Sequence, residues 1–252
     1  MTRPLDHLSM LERGLRDIFA DRFQSLVAYG QNSRQSTADS RQSPAASTHA
    51  SHPPPAPTPT MVIVESLAEN DLRACAEAAA KWHDAGLATP LFLTAGELER
   101  SLDTFPLEFG AIIADYILVA GRDPFEGLAV DPADLRRACE VQARSHLLHL
   151  REGFLETHGR GDGVAVLIVR SAAPFAALLA SIARLQGLET RDQTAAGRHA
   201  ERELQLPPGV VTEVVQLAHV TEISAADAMR IFPAYLDAVE RLTRYVDGWS
   251  ER

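Results

Sequence analysis

The first stretch whose residues could do chemistry is SLVAYGQNSR, residues 25–34, where an apolar run ends at a glycine and turns polar. Gly30 could let a phosphate approach the backbone closely, because glycine has no Cβ atom and readily adopts positive φ. Gln31 and Arg34 are the polar residues beside it that could bind such a substrate. A glycine that only ends a strand produces the same pattern, and a single glycine favours this second interpretation.

The next candidates lie in RSHLLH, residues 144–149. Arg144 and His149 match the loose arginine–histidine spacing of helical ribonuclease domains, but on a regular helix they lie about 140° apart. His146 and His149 share a helix face and could begin a metal site. The sequence supplies no evident third ligand and no HExxH motif. We therefore expect no catalytic residue and no metal ligand here.

The glycine stretch belongs to a region, residues 1–126, in which helices and strands alternate. Apolar residues at helical spacing predict a helix over 8–23. A later helix could be capped by Asn70, and Thr94 with Glu97 forms a capping box for another. Four short apolar runs predict strands: SLVAYG, MVIVES, PLFLT and YILVAG. The pattern indicates an α+β domain, a small mixed sheet flanked by helices.

A long polar segment, residues 31–60, interrupts this domain. It contains almost no large apolar side chain, so it cannot bury enough surface to offset its chain entropy. We predict a disordered insertion between the first two strands.

Residues 127–252 have a different pattern. Asp131 is placed to cap a helix that begins at Pro132. Further helical patterns follow, one of them, GVAVLIVRSAAPFAALLASIARLQG, apolar nearly all round. Such a helix is typical of the centre of a bundle. We predict an all-α C-terminal helical bundle of four or five helices.

The composition argues against several functional classes. The net charge is −10, which disfavours nucleic acid as a partner because phosphate binding needs a clustered basic surface. Cys75 and Cys139 are isolated in the sequence, which suits a reducing compartment. No apolar run reaches about 18 residues and the N-terminus lacks a signal-peptide core. We expect a cytoplasmic protein without a membrane association.

The order of elements around Gly30 resembles the polymerase-beta-type nucleotidyltransferase superfamily. In that superfamily a helix precedes a first strand that ends in Gly-Ser, a polar loop follows, and a second strand begins with Asp-x-Asp. LVAYG resembles the first strand, and MVIVES has the apolar character of the second. The helical half resembles the C-terminal domains of small bacterial members. The resemblance implies a nucleotidyltransferase-like fold followed by a helical domain.

The same comparison shows where the chain departs from the superfamily. Gln31 stands in place of the serine, and residues 57–60 read Pro-Thr-Pro-Thr where Asp-x-Asp should lie. The strand PLFLT, where a third carboxylate is expected, contains no acid. The superfamily reaction depends on two cations, which bind mainly to carboxylates. The resemblance therefore implies the fold and argues against the activity: a degenerate member without the catalytic carboxylates and with no cofactor.

Three functions remain open. The first is a catalytically inactive protein that binds a nucleotide or a protein partner. The second is an active transferase that holds Mg²⁺ with non-standard acids such as Glu65 or Asp115. The third is an interaction protein that works through its helical bundle, including by self-association.

Overall fold

The computed structural model describes residues 4–30, 57–188 and 192–248. The chain divides into two compact units. The first, which we call the sheet unit, comprises Met1–Thr104 and Ala111–Ala129. The second, the helical unit, comprises Phe105–Gly110 and Val130–Arg252.

The first half of the chain contains four strands and four helices in the described residues. Their order is α1 (Pro4–Phe19), β1 (Phe23–Tyr29), β2 (Thr60–Val64), α2 (Glu69–Asp84), β3 (Leu91–Thr94), α3 (Ala95–Thr104), α4 (Pro106–Ala114) and β4 (Tyr116–Gly121). The predicted helix over 8–23 thus stops at Phe19, and Phe23 already belongs to β1. A short 3₁₀ turn, Ala20–Arg22, joins the two.

The strands form one mixed sheet in the order β3-β2-β1-β4. β1 is antiparallel to both β2 and β4, whereas β2 and β3 are parallel. Ala28 is the partner of Thr60, and Tyr29 is the partner of Tyr116. The C-terminal end of β1 therefore lies beside the N-terminal ends of β2 and β4.

One face of the sheet is covered by α1 and α2. Leu11, Leu15 and Phe19 of α1 are almost fully buried, because they lie on one side of the helix. They share a core cluster with apolar residues of β1 and β2 and with Trp82 of α2. This packing keeps the end of β1 in a defined position.

A partly buried ion pair fixes the start of α2. Two nitrogen atoms of Arg22 donate to the two carboxylate oxygens of Asp71, at 2.7 and 2.8 Å. The Ala68 N–H donates to the same carboxylate at 2.9 Å. The hydrogen bonds from Arg22 and Ala68 lower the pKa of Asp71 to about 2. The predicted cap, Asn70, is wrong: Ala68 is the N-cap residue, and the side chain that binds the helix start is Asp71.

In its described residues the helical unit contains five α-helices after the sheet. They are α5 (Pro132–Glu156), α6 (Gly161–Leu185), α7 (Gln193–Glu203), α8 (Val210–Gln216) and α9 (Ala225–Asp247). Asp131 accepts a hydrogen bond from the Ala133 N–H at 2.7 Å, as the Asp-Pro start of α5 predicts.

The core of the helical unit is built around α6, which packs against the other four helices. By length and composition alone, α6 could cross a membrane. Ile168, Phe175 and Leu179 of α6 are almost fully buried in the apolar cluster of this unit. Membership of a protein core accounts for its apolar composition.

The predicted disordered insertion, residues 31–60, differs from the structure at its last residues. Thr58 forms a bridge with Leu87, and Thr60 is the first residue of β2. Backbone pairing holds these residues although their side chains are polar or small. Residues 31–56 of the insertion lie outside the described residues.

Candidate functional site

The candidate site is the edge of the sheet where β1 ends. Gly30 follows β1 there, Pro59 precedes β2, and Asp115 precedes β4. The antiparallel pairing of β1 with both neighbours brings these three residues together. We call this place the β1 edge.

Gly30 adopts a conformation that favours glycine, with a φ of 81°. Its N–H donates to the carbonyl oxygen of Asp115 at 3.1 Å, and the Tyr29 N–H donates to that of Pro59 at 3.1 Å. Both amides are therefore engaged within the fold and do not point to a ligand. A Cβ atom at Gly30 would meet only Cγ of Pro59, at 3.7 Å, an ordinary contact.

Two threonines flank Pro59 at the start of β2. The Thr58 N–H donates to the Gly86 carbonyl at 2.9 Å, and the Ala88 N–H donates to the Thr58 carbonyl at 2.9 Å. Thr60 is 1% exposed, and its hydroxyl has no hydrogen-bond partner among the described residues. A buried hydroxyl without a partner is uncommon, since leaving it unsatisfied costs free energy.

A tyrosine at the start of β4, Tyr116, pairs with an aspartate that follows the strand, Asp123. The Tyr116 hydroxyl donates to Asp123 at 2.6 Å, and the Phe125 N–H donates to the other carboxylate oxygen at 3.0 Å. The hydrogen bond to Asp123 and burial raise the pKa of Tyr116 to about 12. The stretch GRDPFEG, residues 121–127, indicates a turn by its glycines and proline, and nothing in it indicates this pair. Asp123 serves to close that turn, because both of its oxygens accept hydrogen bonds.

The crystal structure of spectinomycin adenyltransferase AAD(9) from Enterococcus faecialis, with ATP and spectinomycin, superposes with a TM-score of 0.53. It is 11% identical, and the alignment covers 94% of this chain and 98% of that one. This chain has a nucleotidyltransferase-like fold. No protein-family model matches the sequence, and no curated protein matches it.

The fold class predicted from the sequence, a small mixed sheet with flanking helices followed by a helical bundle, is thereby confirmed. An identity of 11% shows the fold alone. The chemistry of the site has to be read from the residues of this chain.

The residues at the β1 edge do not fit the cations that the nucleotidyltransferase-like fold implies. The resemblance requires carboxylates at the start of β2, and Thr58 and Thr60 stand there with the same two-residue spacing. A neutral hydroxyl neither balances the charge of a divalent cation nor replaces a carboxylate ligand. Within residues 4–30, 57–188 and 192–248, no three His, Cys, Asp or Glu residues are grouped as a metal site requires.

The three predicted binding residues are only partly described. Gly30 lies at the β1 edge, where it ends a strand. Gln31 and Arg34 lie outside the described residues, so their role remains a prediction.

The candidates in α5 have structural partners in the helical unit. Arg144 donates to Asp247 at 2.7 Å, and His149 contacts the Ser145 hydroxyl at 3.3 Å. His146 is 6% exposed, and its Nε2 lies 2.6 Å from the Tyr235 hydroxyl. His146 and His149 therefore face different surroundings and do not form a ligand pair.

A polar chain continues from His146 through the core. The Tyr235 hydroxyl also lies 3.0 Å from the Ser171 hydroxyl, and the His146 ring stacks on Phe175 with centroids 5.3 Å apart. Burial, with a smaller contribution from His149, lowers the pKa of His146 to about 4. Burial also raises the pKa of Tyr235. These side chains form a neutral, hydrogen-bonded part of the core.

Proposed function

We propose that this chain is a catalytically inactive nucleotidyltransferase-like protein that uses its fold as a binding module for a nucleotide or a protein partner. The observation that carries the proposal is the pair Thr58 and Thr60 at the start of β2. Two-cation phosphoryl chemistry needs negative oxygen ligands that position the triphosphate and neutralise its charge. Two hydroxyls, one of them buried, do not supply that charge.

The state of Gly30 supports the same conclusion. Phosphate-binding loops present backbone N–H groups to the ligand. The N–H groups of Tyr29 and Gly30 donate instead to the carbonyl oxygens of Pro59 and Asp115, which precede the neighbouring strands. The glycine is needed for its positive φ, which is sufficient reason for its presence.

The charge of residues 61–126 bears on the nature of the ligand. Residues 61–126 contain twelve acidic and four basic residues, a net charge of −8. A free triphosphate would be repelled there without a bound cation. This charge favours a protein partner or a weakly charged ligand, although ATP, which accompanies the similar adenyltransferase structure, is the first nucleotide to test.

The first experiment is a titration of the intact protein with ATP, followed by thermal unfolding, with and without Mg²⁺. We expect any rise in Tm to be the same in both conditions, and we expect no transfer of AMP to spectinomycin. A ligand at 100 times its Kd adds about 2.7 kcal/mol to stability, so even modest binding would be visible. ATP binding that requires Mg²⁺ would overturn the proposal.

The second experiment restores the missing charge. The double variant Thr58→Asp, Thr60→Asp should be destabilised without metal, because Thr60 is buried. Mn²⁺ should then raise its Tm, because carboxylates bind hard cations. The matched control is Thr58→Asn, Thr60→Asn, which has the same shape without the charge. Equal responses of the two variants would show that this is not the cation position.

The alternative of an active transferase has one structural argument in its favour. Asp115 lies at the β1 edge, where its carbonyl oxygen accepts from Gly30. Glu65 lies at the other end of β2, where its N–H donates to the Arg22 carbonyl at 2.8 Å. If the first experiment detected transfer, Asp115→Asn should abolish it and Glu65→Gln should not.

A further inference from the structure

Helix α5 carries a stripe of exposed apolar side chains in the helical unit. Val141 is 65% exposed, Leu148 57% and Leu155 73%. They are seven residues apart, so they lie along one line on the helix surface. We call them the α5 stripe. Large apolar residues exposed singly are ordinary, but an aligned set on one helix indicates an interaction surface.

The α5 stripe is separate from the face by which α5 joins its own unit. Leu135, Cys139, Ala143, Leu147 and Leu150 form that inner face and are buried. The stripe lies on the outer side and is accompanied by a shallow, open groove lined by α5 side chains from Glu140 to Glu152. The helix therefore has one apolar face inside the core and a second one in solvent.

A seven-residue apolar repeat is the pattern by which one helix packs along another. The α5 stripe spans about 21 Å of helix at 1.5 Å per residue, enough for three contact layers. The occupant that fits best is a helix with the same spacing, and α5 of another molecule has it.

We propose that two copies of this chain associate through α5, with the two helices antiparallel and a twofold axis at Leu148. Residues equally far before and after Leu148 then lie opposite each other. Leu148 faces Leu148 of the second copy, and Val141 faces Leu155 of the second copy. All three members of the α5 stripe are covered in this register. A twofold interface of this kind is the commonest form of self-association.

The charges between the apolar layers agree with this register. Arg144 and Glu152 are each four residues from Leu148, so Arg144 faces Glu152 of the second copy, and the reverse contact repeats it. Ser145 likewise faces Arg151 of the second copy. Arg144 is about half exposed and already pairs with Asp247 at 2.7 Å. Its guanidinium also lies 3.6 Å from Glu140, and with five N–H donors it can bind a further carboxylate.

Other arrangements of the two helices are less favourable. A parallel pair would place Arg144 against Arg144 and Glu152 against Glu152, and like charges in contact cost free energy. Sliding the antiparallel pair so that Val141 meets Leu148 would leave Leu155 opposite Asp134 of the second copy. The register centred on Leu148 covers all three members of the α5 stripe and sets Arg144 opposite Glu152, and it also sets Glu140 opposite Glu156 at its margin.

The first test measures the oligomeric state of the full chain by analytical ultracentrifugation over a range of concentrations. We expect the wild-type protein to form a dimer and Leu148→Asp to raise its Kd by roughly 100-fold, since a central apolar contact is replaced by two facing charges. The control is Leu72→Asp, because Leu72 is 48% exposed on α2 and lies outside the stripe. A wild-type monomer at all concentrations, or a Leu148→Asp dimer of unchanged Kd, would overturn the proposal.

The second test checks the register and does not depend on an apolar substitution. Arg144→Glu and Glu152→Arg should each weaken the dimer by roughly tenfold, and the double variant should recover most of the affinity because the ion pair is re-formed with its signs exchanged. Circular dichroism verifies that each variant is folded. A double variant no tighter than the single ones would refute the antiparallel register.

Cross-linking provides a direct readout of the axis. Leu148→Cys should form a disulfide-linked dimer under mild oxidation, because residue 148 meets its own copy there. Cys75 and Cys139 are buried, so they should give little background. Leu72→Cys is the matched control and should stay monomeric on a reducing-agent-free gel. Equal cross-linking of the two variants would exclude the proposed axis.

Discussion

Acidification should destabilise this protein through His146 before the carboxylates contribute. In the folded protein, burial and, to a smaller extent, the neighbouring His149 lower the pKa of His146 from 6.5 to about 4. In the unfolded chain the imidazole takes up a proton below its ordinary pKa of 6.5, whereas in the folded protein it stays neutral down to about 4. The unfolded state thus binds more protons in this window, and stability falls as the pH falls through it.

The size of the effect follows from the pKa shift. One pKa unit corresponds to about 1.4 kcal/mol. Complete protonation of His146 therefore lowers the free energy of unfolding by about 3 kcal/mol. Between about pH 7.5 and pH 5, the free energy of unfolding should fall by about 2 kcal/mol. Asp71 does not interfere in this range: its pKa is 3.8 when unfolded and about 2 when folded. Its stabilisation is therefore lost only at lower pH.

The surroundings of His146 explain why the proton is excluded. Its Nε2 lies 2.6 Å from the Tyr235 hydroxyl and its ring stacks on Phe175, so neither of these neighbours carries a negative charge that would stabilise the imidazolium. The electrostatic interaction with His149 also lowers the pKa of His146.

The assay is urea unfolding of the wild type and of His146→Gln across this pH range. The glutamine can still hydrogen-bond to Tyr235 but does not titrate, so the difference between the two proteins isolates the contribution of His146 together with its coupling to His149. We expect the free energy of unfolding of the wild type to fall by about 2 kcal/mol more than that of the variant. Parallel pH dependences would refute the reasoning.

Three further substitutions test the fold and the site. Gly30→Ala should cost about 1 kcal/mol, because it strains a φ of 81° but meets only an ordinary contact, and calorimetric titration should find ligand binding unchanged. Gly121→Ala should lower stability by about 3 kcal/mol or more in urea unfolding, because its Cβ would lie 1.9 Å from the Gln24 carbonyl oxygen. Equal losses of stability for Gly30→Ala and Gly121→Ala would contradict the structure. Glu201→Ala should lower stability by about 2 kcal/mol, because this buried carboxylate accepts from the N–H groups of Val211 and Thr212 at 2.9 and 2.8 Å. An unchanged Tm of Glu201→Ala in thermal unfolding would show that water takes the place of the carboxylate.

The elements that were predicted correctly are those with local signals. The four strands are short apolar runs, and Asp131 followed by Pro132 is a helix start that needs no distant partner. The capping box of Thr94 and Glu97 is present as well, with the Thr94 N–H donating to Glu97 at 2.7 Å and the Glu97 N–H to Thr94 at 3.3 Å. Signals of this kind act within one turn of the chain.

The elements that were missed depend on distant residues. Helix α7 has few large apolar residues. Its small residues Ala196, Gly197 and Ala200 are buried in the helical unit. Asn70 is not the cap of α2, because Arg22, far away in sequence, holds Asp71 at the helix start. Neither packing of small residues nor a long-range ion pair leaves a periodic pattern.

The candidate site also has one feature that the sequence determines and one that depends on the tertiary structure. The lack of carboxylates at the start of β2 is a matter of residue types, because Pro57 to Thr60 can be read from the chain without any coordinates. The engagement of Gly30 is different: its N–H binds the carbonyl of Asp115, which is distant in sequence and is brought near only by the pairing of β1 with β4. A glycine that could have bound a phosphate becomes a strand end because backbone hydrogen bonds join residues by their place in the sheet.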